Sequence, residues 1–244
     1  MVKFLLRSLV GILVFVIDTF YRDRPYQRFY VLETVARVPY FSYLSVLHLY
    51  ETLGWWRKAD WLKVHFAEAW NELHHLLIME SLGGDRWWID RFFAQHTALL
   101  YYWVMVGLYF ISPRSAYYMM EQIEGHAYHT YDQFVATSRA ELQAQPAPAI
   151  AIAYYRDGDL YMFDEFQTCT KPESRRPAVD NLYDVFINIR DDEGEHVKTM
   201  VACQQLDAQT ALRSPHALAI EQLPLEVELV LPSSATTSTA PVES

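Results

Sequence analysis

Residues 71–84, NELHHLLIMESLGG, decide the fold of this chain because they set a Glu-x-x-His motif inside a helical pattern. The motif pairs Glu72 with His75, and residues 193–196, EGEH, repeat the spacing with Glu193 and His196. Positions i and i+3 lie on one face of a helix, so each motif directs a carboxylate and an imidazole toward one point. The two motifs therefore predict two helices that each supply two ligands to a metal site.

Two single glutamates, Glu33 and Glu124, lie in two other helical patterns. The order Glu, Glu-x-x-His, Glu, Glu-x-x-His matches the ligand set of four-helix di-iron or di-manganese carboxylate proteins. We therefore expect an all-α, ferritin-like four-helix bundle that holds a di-iron site and performs redox chemistry with oxygen. Glu121 competes with Glu124 for this role, and Glu195 competes with Glu193 but lacks the i, i+3 relation to His196.

A single Glu-x-x-His motif arises readily by chance, so the alternative is that these side chains form solvated helix faces. Six such residues on four apolar helices make that alternative weaker, because glutamate is rarely buried without a partner.

Composition narrows the function classes. The chain has 244 residues and a net charge of −10, which fits one sizeable domain and argues against a nucleic-acid partner. Cys169 and Cys203 form neither a metal-binding spacing nor a disulfide framework, which favours a reducing compartment. The N-terminal region is basic, which suits an anionic lipid surface. Its basic residues are Lys3, Arg7, Arg22, Arg24, Arg28 and Arg37.

Two apolar segments predict two additional helices that associate with a membrane. The run from Phe4 to Ile17 is too short to span a bilayer comfortably and lacks a signal-peptide cleavage site, so we expect a helix lying in the membrane interface. A buried core helix is the alternative. Residues 97–111, TALLYYWVMVGLYFI, are apolar on all faces, which favours a buried or lipid-contacting helix.

The remaining elements follow from helix periodicity and from breakers. We expect residues 1–20 to form the interfacial helix, 21–216 the di-iron helical domain and 217–244 a disordered tail. Pro39 predicts a kink, Gly83-Gly84 a helix end, and Ser112 or Ser115 a helix cap. The predicted helices after the first cover 28–56, 59–82, 85–111, 114–143 and 181–204, with irregular structure packed over the bundle after Pro146 and Pro148.

Five segments resemble the alternative oxidase family, and its plastid branch in particular. They are DTFYRDRPYQRFYVLETVARVPYFSYL, NELHHLLIMESLGGD, EQIEGHAYHTYDQF, YRDGDLYMFDEFQT and NLYDVFINIRDDEGEHVKTM. The resemblance covers about residues 18–216, and the long segments agree in order and spacing. The GDLYMFDEF segment is usually missing from the mitochondrial members.

The resemblance implies a membrane-bound, non-haem di-iron quinol oxidase with two iron ions per chain. Such an enzyme oxidises two plastoquinols and reduces oxygen to two waters without pumping protons. It implies monotopic attachment to lipid in a thylakoid or cytoplasmic membrane of an oxygenic phototroph, and a homodimer formed through the second and third predicted helices. The implied iron ligands are Glu33, Glu72, His75, Glu124, Glu193 and His196.

The resemblance also assigns residues that do not bind metal. Tyr131 lies two turns after Glu124 and matches the family's essential tyrosine, which favours Glu124 over Glu121. Further matches to catalytic positions are His48, Tyr109 and Asp192, of which Asp192 would hold a ligand imidazole. The implied quinol pocket consists of Arg28, Leu32, Ile123, His126 and Thr130, with His126 replacing the acid of mitochondrial members.

The residues alone leave a purely structural role open for two of these positions. His48 can be a satisfied core histidine, and Tyr109 an aromatic core or interfacial residue. Two other functions also compete with quinol oxidation, namely a di-iron quinone hydroxylase on the membrane and a metal-free helical scaffold on the membrane surface.

Overall fold

The computed structural model describes residues 2–55, 59–157 and 178–205. Within these ranges the extended regular elements are all helical, and Pro146 and Asn181 add one isolated antiparallel bridge. The fold is therefore all-α, as the helical patterns predict. The helices are α1 (Val2–Phe20), α2 (Pro25–Ala36), α3 (Val38–Thr52), α4 (Ala59–Ser81), α5 (Trp88–Ile111), α6 (Pro113–Gln143), α7 (Ala149–Ile152) and α8 (Leu182–Cys203).

Local sequence signals fix several helix ends. The Ser112 side chain accepts a hydrogen bond from the Ser115 backbone N–H and caps α6, whose first residue is Pro113. Asn181 caps α8 in the same way through the Asp184 N–H. Gly83 follows α4 with a φ of 79°, which a glycine adopts without strain.

One predicted helix is two helices. The expected helix over residues 28–56 with a kink at Pro39 is instead interrupted at Arg37, between α2 and α3. Pro39 has no backbone N–H to donate to Val35, so the hydrogen bonding of α2 cannot continue through it and the interruption falls ahead of Pro39. Pro39 itself lies in the first turn of α3, where a missing N–H costs nothing.

Four helical units form the bundle: α2 together with α3, then α4, α6 and α8. Helix α6 packs along α8, while α2 and α3 pack against both α4 and α5. One buried cluster lies around Phe29, Tyr131 and Phe186, and a second lies around Tyr43 and Tyr109. The two clusters adjoin along the bundle interior, where the predicted metal ligands lie.

Helices α1 and α5 expose large apolar side chains. On α1, which packs on α6, Phe4 is 74% exposed and Phe15 is 71% exposed. The buried-helix alternative for α1 is therefore wrong. On α5, Leu100 and Trp103 are 69% and 65% exposed. Among the described residues, every helix is either too short or too polar to cross a membrane.

Residues 149–157 are not irregular, contrary to the sequence prediction. Helix α7 continues into a π-helical turn over Ala153–Asp157, which buries Tyr154 and Tyr155 against the bundle. Local periodicity could not indicate this, because one turn of π-helix has no repeating pattern to detect. The remainder of the aromatic segment, Cys169 and the predicted tail lie outside the described residues, and the domain division stays a prediction.

Candidate metal centre

All six predicted ligands meet inside the bundle. Helix α2 supplies Glu33 and α6 supplies Glu124, while α4 and α8 each supply a Glu-x-x-His pair. Every one of these side chains is buried, with at most 1% of the residue exposed. A buried glutamate is costly unless its charge is compensated, so four of them at one place require a partner. The six are Glu33, Glu72, His75, Glu124, Glu193 and His196.

The six ligands form two overlapping sets, each with one ligand atom per residue and all atoms within 4.8 Å of one another. Glu72 and Glu193 belong to both sets. The first set is completed by Glu33 and His75, the second by Glu124 and His196. The overlap means that Glu72 and Glu193 could each contribute to the binding of both of two metal ions.

The ligand atoms approach one another closely. His75 Nδ1 lies 3.1 Å from Glu193 Oε1 and 3.7 Å from Glu33 Oε2, and His196 Nδ1 lies 3.0 Å from Glu72 Oε1. Among the described residues, His75 Nδ1, Glu33 Oε2 and both carboxylate oxygens of Glu72 and Glu193 are buried without a hydrogen-bond partner. Carboxylate oxygens and imidazole nitrogens that converge in a buried site fit metal coordination, so the residues suit a metal ion.

Burial and mutual repulsion raise the pKa of Glu72 and of Glu124 well above the usual range; Glu193 adds to the effect in both cases. Burial acts in the same direction on the pKa of Glu193, but contacts with His196 and His75 outweigh it and lower that pKa. Glu193 is therefore the carboxylate most firmly held in its charged form. A cation between the ligands would relieve the repulsion that the other acids feel.

Two tyrosines donate hydrogen bonds to ligand carboxylates. Tyr131 on α6 donates to Glu33, as its place on the same face as Glu124 allows. Tyr40 on α3 donates to Glu124 Oε1 at 2.5 Å. Sequence reasoning missed Tyr40, although a signal existed: it follows Glu33 by seven residues, as Tyr131 follows Glu124.

Asp192 lies behind the ligand His75. Its Oδ2 atom is 3.0 Å from His75 Nε2 and accepts hydrogen bonds from Tyr155 at 2.7 Å and from Asn71 at 2.9 Å. This carboxylate orients the imidazole so that Nδ1 faces the centre. Asn71 also donates to the Tyr154 hydroxyl at 2.7 Å. None of these three partners was predicted from the sequence. The π-helical turn that positions Tyr154 and Tyr155 has no recognisable pattern, and the contact of Asn71 with Asp192 joins residues far apart in the chain.

Three of the five predicted quinol-pocket residues form one polar group. Arg28 donates to Asp18 at 2.5 Å and to Thr130 at 3.4 Å. The Thr130 hydroxyl lies 3.3 Å from His126 Nε2. The other two, Leu32 and Ile123, are partly buried apolar residues on α2 and α6.

Two predicted catalytic residues lie away from the ligands. The His48 side chain is 66% exposed on α3, with Nδ1 3.9 Å from Glu51, so the core-histidine alternative is wrong. Tyr109 is buried and its hydroxyl lies 2.7 Å from that of Tyr117. The competing acids are engaged elsewhere: Glu121 accepts from Gln204, and Glu195 from Lys198.

Known proteins share much of this sequence. Over 203 residues the chain is 64% identical to the chloroplastic/chromoplastic ubiquinol oxidase 4 of Arabidopsis thaliana, covering 83% of this chain and 57% of that protein. It is 30% identical over 180 residues to the mitochondrial ubiquinol oxidase 2 of Glycine max, covering 73% and 48% of the two chains. The chain thus spans about half the length of these relatives. The alternative oxidase family model matches residues 3–205, and the chain belongs to that family.

Proposed function

We propose that this protein is a membrane-bound quinol oxidase that oxidises two plastoquinols and reduces oxygen to two waters. The observation that carries the proposal is the buried pair of overlapping ligand sets that share Glu72 and Glu193. Family membership and relatives named ubiquinol oxidases support a quinol as the reductant. The chloroplastic relative favours plastoquinol and a plastid membrane.

Iron is the metal we propose, with two ions held by the six ligands. Four carboxylates and two imidazoles are hard and borderline donors, and they stabilise the higher oxidation states that oxygen reduction requires. When bound, a di-iron pair would pass to oxygen the four electrons that two quinols supply. The protein's own contribution is to hold the ligands rigidly: Asp192 orients His75, and Tyr131 and Tyr40 each fix one carboxylate.

Quinol oxidation also releases protons, and the Arg28–Thr130–His126 group is placed to receive them. Burial lowers the pKa of His126, an effect opposed by the Asp18 carboxylate and reinforced by Arg28 and His129. A neutral imidazole can accept a proton from a quinol hydroxyl. Leu32 and Ile123 supply apolar contact for the quinone ring, and Tyr131 is the proposed redox-active phenol beside Glu33.

The exposed apolar residues of α1 and α5 support attachment to one leaflet of a membrane. We propose a monotopic association in which Trp103 and its neighbours enter the lipid. A different apolar groove lies between α3 and α4 and supports a homodimer, because Leu44, Leu62 and Phe66 line it together with His48 and Lys63. This assignment gives His48 a place at the subunit contact.

Two variants, one on each surface, distinguish membrane attachment from dimerisation. Trp103→Asp should reduce co-sedimentation with vesicles of anionic lipid while the dimer persists. Phe66→Asp should convert a dimer to a monomer, measured by light scattering, while vesicle binding persists. Vesicle binding that resists Trp103→Asp together with further acidic substitutions on α1 and α5 would contradict the membrane assignment.

The decisive test of the reaction uses the purified full chain. We expect about two irons per chain and oxygen uptake when plastoquinol is supplied, with faster turnover than for a ubiquinol analogue. Product analysis should show quinone and water. Hydroxylated quinone would instead identify a quinone hydroxylase, and a metal-free protein without oxygen uptake would identify a scaffold.

A further inference from the structure

A second buried polar cluster lies next to the metal centre. Its members form a continuous line of contacts. Glu68 Oε2 lies 2.9 Å from His65 Nδ1, His65 Nε2 lies 2.9 Å from the Tyr117 hydroxyl, and that hydroxyl lies 2.7 Å from the Tyr109 hydroxyl. His65, Tyr117 and Tyr109 are fully buried, and Glu68 is 1% exposed. Each contact joins groups that can exchange a proton.

This line continues the ligand-bearing face of α4. His65 and Glu68 precede Glu72 by seven and four residues, so all three project from the same side of the helix. Glu68 lies roughly 6 Å from Glu72 along the helix axis, at 1.5 Å per residue. Tyr40 occupies the space between the cluster and the centre: its ring centroid is 6.3 Å from that of His65 and 5.6 Å from that of His196.

Glu68 has one carboxylate oxygen that its contact with His65 does not use. Among the described residues, its Oε1 atom is buried and has no hydrogen-bond partner. Two phenols and a thiol of the facing helices are close to Glu68, which adds to the effect of burial in raising the pKa of Tyr40 and Tyr43 from α3 and of Cys203 from α8. Burial and then the nearby carboxylates, including that of Glu68, raise the pKa of Tyr40, which indicates that Glu68 and Tyr40 are close. An acid with an unused oxygen beside an imidazole can hold or pass on a proton.

The outer end of the line approaches the surface. Tyr109 adjoins Phe110, whose carbonyl oxygen accepts a hydrogen bond from the Tyr50 hydroxyl at 3.0 Å in an exposed position. Burial chiefly raises the pKa of Tyr109, and Tyr50 adds to this effect, so the outer end of the line lies near a tyrosine at the surface. The line ends inside the bundle at Tyr40, whose hydroxyl contacts Glu124.

We propose that Tyr109, Tyr117, His65 and Glu68 form a proton-delivery path, with the Glu68–His65 pair as the internal proton donor for oxygen reduction. The inference rests on the proposed oxidase function, in which each oxygen molecule takes up four protons as it becomes two waters. In each transfer Tyr40 releases its hydroxyl proton toward the centre and takes one from the Glu68–His65 pair, and the pair regains a proton from Tyr117, which is resupplied through Tyr109. No electron moves along the path, so charge and atoms balance.

Two variants test the path, each with a matched control. Glu68→Gln removes the acid and is compared with Glu80→Gln, a partly exposed glutamate three turns later in the same helix. Tyr117→Phe breaks the line and is compared with Tyr43→Phe, an equally buried tyrosine whose hydroxyl instead contacts the Ala116 carbonyl oxygen. Iron content and helical circular dichroism are measured for all four proteins.

Three readouts follow proton movement. The reduced holoenzyme is mixed with oxygen beside a pH-indicator dye, oxygen uptake is compared in light and heavy water, and reduced-minus-oxidised infrared spectra are recorded. We expect Glu68→Gln and Tyr117→Phe to slow proton uptake by roughly a hundredfold and to raise the solvent isotope effect, with the quinol KM unchanged. A heavy-water-sensitive carboxyl band should disappear in Glu68→Gln alone.

Proton uptake and isotope effects at wild-type values in both iron-loaded variants would overturn the path. So would equal slowing in Tyr43→Phe or Glu80→Gln. If Glu68→Gln fails to fold, Tyr117→Phe decides the question by the same readouts. Failure of the oxidase function is a different result, since the wild-type protein would then show no oxygen uptake with quinol.

Discussion

Tyr40 donates a hydrogen bond to Glu124 across the bundle, and Tyr131 does the same for Glu33 in the opposite direction. Tyr40 lies seven residues after Glu33, the partner of Tyr131, and Tyr131 lies seven residues after Glu124, the partner of Tyr40. The segment around each single glutamate therefore supplies the tyrosine that donates to the other glutamate. Each of these two terminal carboxylates is thereby fixed by a donor from another helix. Glu72 and Glu193 are the two carboxylates that belong to both ligand sets.

Glu193→Ala should abolish oxygen uptake and reduce iron content to well below one ion per chain, because Glu193 belongs to both ligand sets. Glu195→Ala is the matched control on the same helix, since Glu195 is paired with Lys198 instead. Metal analysis and oxygen uptake measure both effects. A Glu193→Ala protein with two irons and full activity would refute the site assignment.

Asp192→Asn should weaken metal binding by about 10- to 100-fold, because the carboxylate that orients His75 becomes a neutral amide. Asp191→Asn, one residue away and exposed beside Arg190, should leave the affinity unchanged. Competition with a chelator of known affinity measures the difference. Equal affinities for the two variants would mean that Asp192 does not support the ligand.

Removal of metal should lower the melting temperature, and the loss should be greater at pH 8 than at pH 5. In the metal-free protein burial and neighbouring carboxylates raise the pKa of Glu72 and of Glu124. A pKa raised by folding gives stability that is present below the unfolded pKa and is lost as the pH rises through the folded one. Thermal melts with and without chelator at both pH values check this, and a chelator effect that is independent of pH would contradict it.

Alkaline pH should unfold the protein cooperatively. Burial, followed by the hydrogen bond to Asp90 and its charge, raises the pKa of Tyr21 from 10.0 to about 12. Burial likewise raises the pKa of Tyr43 and of Tyr117 well above its ordinary value. Folding stability should therefore fall from about pH 10 upward, as unfolded tyrosines ionise and folded ones do not. Tyrosinate absorbance should rise together with the loss of helical circular dichroism.

The matched control for this titration is Tyr21→Phe. It should make the fall in stability between pH 10 and 12 shallower, since one tyrosine with a raised pKa is gone. Tyrosinate absorbance that rises in full while the helices remain intact would show that the phenols ionise in the folded state.

The sequence predicted the metal centre better than its surroundings. The i, i+3 pairs Glu72–His75 and Glu193–His196 are local relations that one helix face enforces, so all four side chains meet as expected. Asn71 and Tyr155 reach Asp192 from elements far apart in the chain, and long-range contacts leave no local pattern. A proline in a helical pattern indicates either a kink or a full break, and the sequence does not distinguish the two. The kink predicted at Pro39 is therefore a break at Arg37 instead.

That interruption has a consequence for how the sequence can vary. Helices α2 and α3 contain the proposed quinol contact Arg28, the ligand Glu33 and the phenol Tyr40. Glu33 belongs to one ligand set, and Tyr40 donates to Glu124 of the other set. An insertion or deletion near Arg37 would rotate α3 against α2 by about 100° per residue, at 3.6 residues per turn. Glu33 and Tyr40 could not then both face inward. Descendants of this chain can change many surface residues, but the number of residues between these two must remain constant.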